Sequence, residues 1–207
     1  MEYPWWRPII GPNEKDFILG VLDDNYPNEG ALATEFEKVI AQKIDVKHAV
    51  AVTSGTAAMF LSLKACDIGP GDEVIVPDLT FIATANAVDM CGAEPVLVDI
   101  KPDSLNIDPH LIEKAITEKT KAIMPVHVTG RPSDMAAILK IAEKQNLFVI
   151  EDAAEALGAE YKGKKCGSFG HMAILSFNGN KIITTSGGGM LCSNNEDFVN
   201  KARFLST

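Results

Sequence analysis

Cysteine is sparse in this chain, and its four copies are scattered without a Cys-x-x-Cys pair. None stands at a metal-ligand spacing from a histidine, so neither a zinc site nor a disulfide framework is expected. The chain also has no basic start followed by an apolar run, and no apolar stretch long enough to span a bilayer. These features predict a cytoplasmic protein without a metal. The cysteines are Cys66, Cys91, Cys166 and Cys192.

Basic residues are also fewer than acidic ones. The 207 residues include 19 Lys and Arg against 28 Asp and Glu, which gives a formal net charge of −9 at pH 7. Nucleic acids and anionic membranes favour basic surfaces, so neither is an expected partner. The composition of 46% apolar and 23% charged residues is typical of a globular protein with a sizeable core.

Two helical patterns predict an N-terminal helical segment over residues 1–44. Apolar residues recur at helical spacing in residues 13–24, where Asn13 is the candidate N-cap. They recur again in residues 33–44, where Thr34 is the candidate N-cap. A larger domain is expected to follow this segment.

Residues 45–207 change to short apolar runs that alternate with helical patterns. Runs that are apolar throughout suit strands covered on both faces, and intervening helices imply parallel crossovers. The sequence therefore predicts a three-layer α/β/α domain with a mostly parallel sheet. The predicted strands are 48–53, 73–77, 95–99, 121–125, 147–151, 172–177 and a last one that follows a glycine run and ends at 192. The predicted helices are 56–66, 80–90, 109–117, 133–144 and 197–205, and a turn or hairpin is expected over 161–167.

Four strand ends carry polar residues, and ligands bind at the carboxyl ends of strands in open α/β sheets. At the first, Gly55 permits a tight turn and Thr56 begins a helix, whose free N–H groups suit an anion. An ordinary capped turn would carry the same residues. At the second, Phe81 could stack on a flat ligand or cap the core.

The other two strand ends supply an acid and a lysine. Asp152 ends an apolar strand, where a buried carboxylate needs a cation or a hydrogen-bond donor, so it is a functional candidate. Its neighbour Glu151 is expected to face the helix layer or solvent. Lys181 lies beside apolar Ile182 and ahead of glycines 187–189, which makes it a candidate amine nucleophile. A solvated loop lysine is the alternative.

An anion site, an aromatic face, an acid and a lysine are together the parts that a pyridoxal phosphate (PLP) enzyme needs. A nicotinamide-dependent dehydrogenase would share the α/β alternation. It is disfavoured, because no G-x-G-x-x-G follows the first predicted strand.

Five motifs in this order resemble those of the DegT/DnrJ-type sugar aminotransferases, which are PLP-dependent enzymes of the aspartate-aminotransferase fold (fold type I). The resemblance runs from about Pro8 to the last residue. The motifs are 54–58 (SGTAA), 77–87 (PDLTFIATANA), 125–127 (PVH), 151–158 (EDAAEALG) and 176–181 (SFNGNK).

The resemblance implies roles for three residues that act on the cofactor ring or its aldehyde. Lys181 matches the lysine that attaches to the cofactor and carries a proton between cofactor and substrate. Asp152 matches the acid that pairs with the pyridinium nitrogen. Phe81 matches the aromatic that stacks on the ring.

The resemblance also implies how the rest of the cofactor is held. Gly55, Thr56 and Ser176 match contacts to its phosphate. Glu155 falls near the ring hydroxyl, where the family more often has Gln. Because a carboxylate would repel an ionised phenol unless the two share a proton, this departure leaves the hydrogen-bond role of Glu155 open.

The implied reaction moves an amino group from glutamate to a nucleotide-linked 4-keto-6-deoxyhexose, for surface polysaccharide or a related glycan. Dehydrating members of the family have His at the position of Lys181, and the run 178–185 is most similar to members that make 4-amino sugars. The resemblance also implies a homodimer. The family chain continues into a small C-terminal domain that is missing here, so the resemblance implies that the sequence is a fragment of a longer chain. The alternative is a truncated, non-catalytic relative with a regulatory or assembly role.

Overall fold

The computed structural model describes residues 6–25 and 30–206. Two helices come first: α1 is Pro12–Asp23 and α2 is Ala31–Lys43. The predicted caps are wrong, because the N-cap positions belong to Gly11 and Gly30, neither of which has a side chain to cap with. Asn13 therefore lies inside the first turn of α1. Thr34 lies inside α2, where its Oγ1 donates to the Gly30 carbonyl.

A seven-stranded sheet and its crossover helices follow. The sheet strands are β1 (His48–Val52), β2 (Glu73–Pro77), β3 (Glu94–Val98), β4 (Thr120–Ile123), β5 (Phe148–Asp152), β8 (Met172–Ser176) and β9 (Gly189–Ser193). The short strands β6 (Glu160–Tyr161) and β7 (Lys164–Lys165) form the hairpin predicted over 161–167. The helices are α3 (Gly55–Ala65), α4 (Ala83–Met90), α5 (Pro109–Ala115), α6 (Met135–Gln145) and α7 (Glu196–Ser206).

Two helices begin later than the sequence pattern predicts. Helix α4 begins at Ala83, which leaves Phe81 in the loop after β2. Helix α6 begins at Met135, because Asp134 is its N-cap and accepts a hydrogen bond from the N–H of Ala137. Ser133 lies outside the helix, and its hydroxyl donates to the carbonyl of Val126.

The strands lie in the order β1-β9-β8-β5-β4-β2-β3. Strands β3, β2, β4, β5 and β8 pair in parallel, while β9 pairs antiparallel with β8 on one side and with β1 on the other. Strand β1 therefore runs in the same direction as the parallel strands. The predicted mostly parallel α/β fold is confirmed, with β9 as its antiparallel strand.

Both faces of the sheet are covered, as the apolar runs require. Successive residues of a strand point to opposite faces. In β2, Val74 and Val76 pack into a core with α3 and α4, whereas Ile75 packs into a second core with α5 and α6. Ile40 of α2 and Ile44, the C-cap of that helix, join a third core with residues of β8 and β9. The division of the chain at residues 44 and 45 stays a prediction.

Candidate active site

The seven residues that the resemblance assigns to the cofactor line one cavity. The cavity has a volume of about 720 Å³ and lies where the parallel strands end. The loop from β1 to α3, the loop from β2 to α4, and the segments after β5 and β8 each supply part of its wall. Its lining includes Gly55, Thr56, Phe81, Asp152, Glu155, Ser176 and Lys181.

The start of α3 forms the small-residue end of the cavity. Ser54 is the N-cap of α3, and its Oγ accepts a hydrogen bond of 3.0 Å from the N–H of Ala57. A Cβ added to Gly55 would lie 3.0 Å from Cβ of Ser176, and one added to Gly189 would lie 2.3 Å from the backbone of Ser54. Glycine therefore lets β8 and β9 approach the helix start closely. The first N–H groups of a helix are free to bind an anion.

Asp152 is a buried acid with few donors. Its Oδ2 accepts a hydrogen bond of 2.8 Å from the Thr84 hydroxyl, and its Oδ1 accepts one of 3.2 Å from the N–H of Ala154. Thr80 in turn lies 2.9 Å from Thr84, hydroxyl to hydroxyl. Burial raises the pKa of the Asp152 carboxyl despite these two hydrogen bonds. A cation placed against this carboxylate would favour its ionised form.

Lys181 enters the cavity from the loop after β8. Its side chain is 13% exposed, and its Nζ lies 3.1 Å from Oε1 of Glu155. The other carboxylate oxygen of Glu155 accepts a hydrogen bond of 2.9 Å from the N–H of Thr129. Thr129 has a left-handed backbone, with φ of 53°. Glu155 thus connects the amine of Lys181 to Thr129, a residue whose backbone conformation is strained.

Phe81 lies at the edge of the cavity with 73% of its surface exposed. The sequence left two alternatives for this ring, stacking on a flat ligand or capping the core. A side chain this exposed does not cap the core, so its surface is available to a ligand.

Glu151 faces away from the cavity and is fully buried, so of its two expected surroundings, the helix layer and solvent, solvent is excluded. Its Oε1 accepts hydrogen bonds from the N–H groups of Phe169 and Gly170, at 2.6 and 2.7 Å. Its Oε2 accepts from the N–H of Gly167 at 2.8 Å and lies 3.1 Å from Nε2 of His127. The Glu151 carboxylate therefore organises the turn that leads into β8.

The contacts of His127 identify its tautomer. The N–H of Ser133 donates to Nδ1 of His127 at 3.1 Å, so Nδ1 carries no proton and Nε2–H donates to Glu151. The ring therefore links the 127–133 segment to β5 without entering the cavity.

The sequence indicates the residues of the site but not the residues that hydrogen-bond to them. Thr84 is 68 residues from Asp152, and Thr129 is 26 residues from Glu155. The spacing of Thr80 and Thr84, one helical turn apart, is the one visible signal, because it can place both hydroxyls on one side of a turn.

The part of the chain that the structure describes contains neither a metal-binding cluster nor a membrane-spanning helix. Across residues 6–25 and 30–206, no group of three or more His, Cys, Asp or Glu is arranged to hold a metal ion. No helix in that part of the chain is long and apolar enough to cross a membrane.

The mostly parallel sheet is that of the major domain of PLP-dependent transferases. Known structures share this fold: the aminotransferase of Psychrobacter cryohalolentis superposes with a TM-score of 0.94 at 42% identity, over 98% of this chain and 52% of that one. A Streptococcus pneumoniae protein in its PLP form superposes with a TM-score of 0.95 at 31% identity, over 100% of this chain and 58% of that one.

The chain belongs to the DegT/DnrJ/EryC1/StrS aminotransferase family, whose model matches residues 8–207. It is 53% identical over 199 residues to the GDP-perosamine synthase of Caulobacter vibrioides. This match covers 96% of this chain and 54% of that protein. The chain spans about half the length of the curated relatives it matches.

Proposed function

We propose that this protein is a PLP-dependent aminotransferase that moves an amino group from glutamate to a nucleotide-linked 4-keto-6-deoxyhexose. The observation that carries the proposal is the single cavity where Lys181, the buried acid Asp152 and the glycine-lined start of α3 meet. The sugar substrate is supported by the relatives, which include GDP-perosamine synthases.

The residues present fit PLP. The free N–H groups at Gly55 and Thr56, with the hydroxyl of Ser176 nearby, suit the three oxygens of a phosphate group. The carboxyl of Asp152, whose pKa burial raises, would gain from a cationic ring nitrogen. Glycine at position 55 lets Ser176 lie close to the start of α3, which brings its hydroxyl beside the free N–H groups there.

Each side chain then has a defined task. When bound, PLP supplies an aldehyde for attachment of an amine and a ring that accepts electrons. Lys181 would provide the amine to which the aldehyde attaches, and its Nζ would carry a proton between cofactor and substrate. Asp152 keeps the ring nitrogen protonated, and Phe81 covers one face of the ring.

The open role of Glu155 is proposed from its contacts. Its carboxylate holds the Nζ of Lys181 and the N–H of Thr129 at once. We expect Glu155 to orient the lysine nitrogen. A proton shared between its carboxylate and the ring hydroxyl would avoid the repulsion between these two groups.

A homodimer is part of the proposal. Helix α1 buries none of its residues, and it exposes the apolar side chains of Phe17, Ile18 and Leu22. An exposed apolar helix face marks an interaction surface. A second copy of this chain in the cytoplasm is the proposed partner.

Absorbance spectroscopy tests the proposal. The purified protein with PLP is expected to turn yellow, and glutamate is expected to remove the yellow band as its amino group is transferred. Lys181→Ala should abolish the band, because no amine remains to attach the aldehyde. Lys165→Ala is the matched control, since Lys165 also pairs with a glutamate, Glu160, but on the β6–β7 hairpin.

Two results would count against the proposal. A yellow band that stays with the Lys181→Ala protein after unbound PLP, itself yellow, is dialysed away would show that another amine reacts with PLP. A band that forms at Lys181 but does not respond to glutamate would favour the alternative, a non-catalytic relative that retains the cofactor.

A further inference from the structure

A second cavity adjoins the candidate active site beside the N-terminal arm, residues 6–10. This arm cavity has a volume of about 410 Å³, and Asn180 and Lys181 line both it and the active-site cavity. Sites for small molecules have volumes of roughly 300–1,000 Å³. A substrate that reaches Lys181 can therefore extend into the arm cavity.

One wall of the arm cavity is aromatic. Trp6 leaves 50% of its surface exposed. Its ring lies close to the loop that carries Lys181, since a Cβ added to Gly179 would be 3.8 Å from Cη2 of Trp6. Any nucleobase can stack on such a ring, because every base has a π face.

The arm cavity also contains a cation. Among the residues that line the two cavities, Arg7 and Lys181 are the basic ones, and Lys181 is paired with Glu155. Within residues 6–25 and 30–206 no acidic side chain forms an ion pair with Arg7, although Glu14 lines the same cavity. A guanidinium group matches the paired oxygens of a diphosphate.

We propose that the arm cavity binds the nucleoside diphosphate of the sugar substrate. The base stacks on Trp6, the diphosphate lies against Arg7, and the sugar extends past Asn180 to Lys181, the two residues that line both cavities. The inference rests on the proposed function, because it takes a nucleotide-linked sugar as the substrate. The inference adds the place in the structure where the nucleotide part of this substrate would bind.

Tryptophan fluorescence provides a readout that does not depend on catalysis. The chain has two tryptophans, so in a Trp5→Phe background Trp6 alone reports. GDP is the probe, since two relatives are GDP-perosamine synthases. We expect GDP to quench Trp6 with a saturating curve, because the base stacks on the ring.

Arg7→Ala is expected to weaken GDP binding by at least about 10-fold, the effect of one lost charge-assisted contact. Lys144→Ala is the matched control, because Lys144 is an exposed base on α6 that pairs with Glu113. It should leave the GDP curve unchanged. Since the arm and α1 are exposed, these substitutions are not expected to unfold the protein.

The inference and the proposed function can fail separately. If PLP gives a glutamate-sensitive band but GDP does not quench Trp6, or binds Arg7→Ala equally well, the arm cavity is not the nucleotide site. Inorganic pyrophosphate that binds as tightly as GDP would also overturn the inference, because the base would then contribute nothing. If GDP binds through Arg7 while PLP forms no band, the proposed function fails and the nucleotide site stands.

Discussion

Glu151 and Asp152 are neighbours on β5, yet they point to opposite faces of the sheet and have different surroundings. The Glu151 carboxylate receives three backbone N–H groups and the ring of His127. The Asp152 carboxylate receives one hydroxyl and one N–H, and it faces a cavity. The first carboxylate is satisfied by the fold, whereas the second is left with capacity for a ligand.

The difference shows how a structural acid is told from a functional one when both are buried. A buried carboxylate that is fully hydrogen-bonded stabilises the chain segments that supply its donors. A buried carboxylate whose pKa is raised by burial costs stability, and such a cost is typical of functional sites. Substitution of either carboxylate, or of a donor to it, therefore tests this difference.

The largest effect is expected for Glu151→Ala. This change leaves the N–H groups of the 167–170 turn and the Nε2–H of His127 without their acceptor inside the protein. Removing one side of such a buried network costs about 3–5 kcal/mol, so urea unfolding should show a loss of that size.

Glu160→Ala is the control for this loss. Glu160 is an exposed acid on the β6–β7 hairpin that pairs with Lys165, and exposed ion pairs contribute about 0–1 kcal/mol. If Glu151→Ala unfolds at the same urea concentration as Glu160→Ala, the buried network does not hold the turn.

A pH-dependent effect is expected for Asp152→Asn without cofactor. The folded state raises the pKa of Asp152 above its usual 3.8, so the wild-type protein is not penalised below that pH. As the pH rises from about 4 through the folded pKa, the wild type loses about 1.4 kcal/mol of stability for each unit of the shift, and the variant does not.

Urea unfolding of both proteins between acidic and neutral pH measures this gap. The variant should become the more stable protein as the pH rises, and PLP should stabilise the wild type more than the variant, because only the wild type has a carboxylate against the ring nitrogen. Parallel curves would show that the carboxylate of Asp152 is as well satisfied as that of Glu151.

The smallest effect is expected for Thr84→Val, which removes one donor to Asp152 and keeps the side-chain shape. The loss of one hydrogen bond costs about 1 kcal/mol. It also removes an interaction that lowers the pKa of Asp152, so the stability gap against Asp152→Asn should continue to widen up to a higher pH. Thr34→Val, at an exposed helix position, is the control; equal effects of the two changes would exclude a special role for Thr84.

The sequence predicts more of the fold than of the hydrogen bonds between distant residues. Apolar runs such as Val74–Val76 require cover on both faces, and this requirement predicts the layers of the domain. The antiparallel direction of β9 was not predicted, because a strand has the same local pattern in either direction. The N-caps were missed because the chain uses Gly11 and Gly30, which carry no side-chain signal.

The site residues came from motifs, whereas their partners depend on distant chain segments. Glu151 and Asp152 cannot be told apart in the sequence, because the donors to Glu151 are mainly backbone groups 16 to 19 residues away. Backbone donors leave no pattern in side chains. The link from Lys181 through Glu155 to Thr129 likewise requires the folded chain.

Covalent trapping at Lys181 tests the central claim most directly. Borohydride reduces the bond between PLP and the attaching amine, and mass spectrometry of peptides then locates the label. We expect the label on Lys181, with Lys165 and Lys144 unlabelled as internal controls. A label spread over surface lysines, or a label absent from Lys181, would contradict the assignment of this cavity as the PLP site.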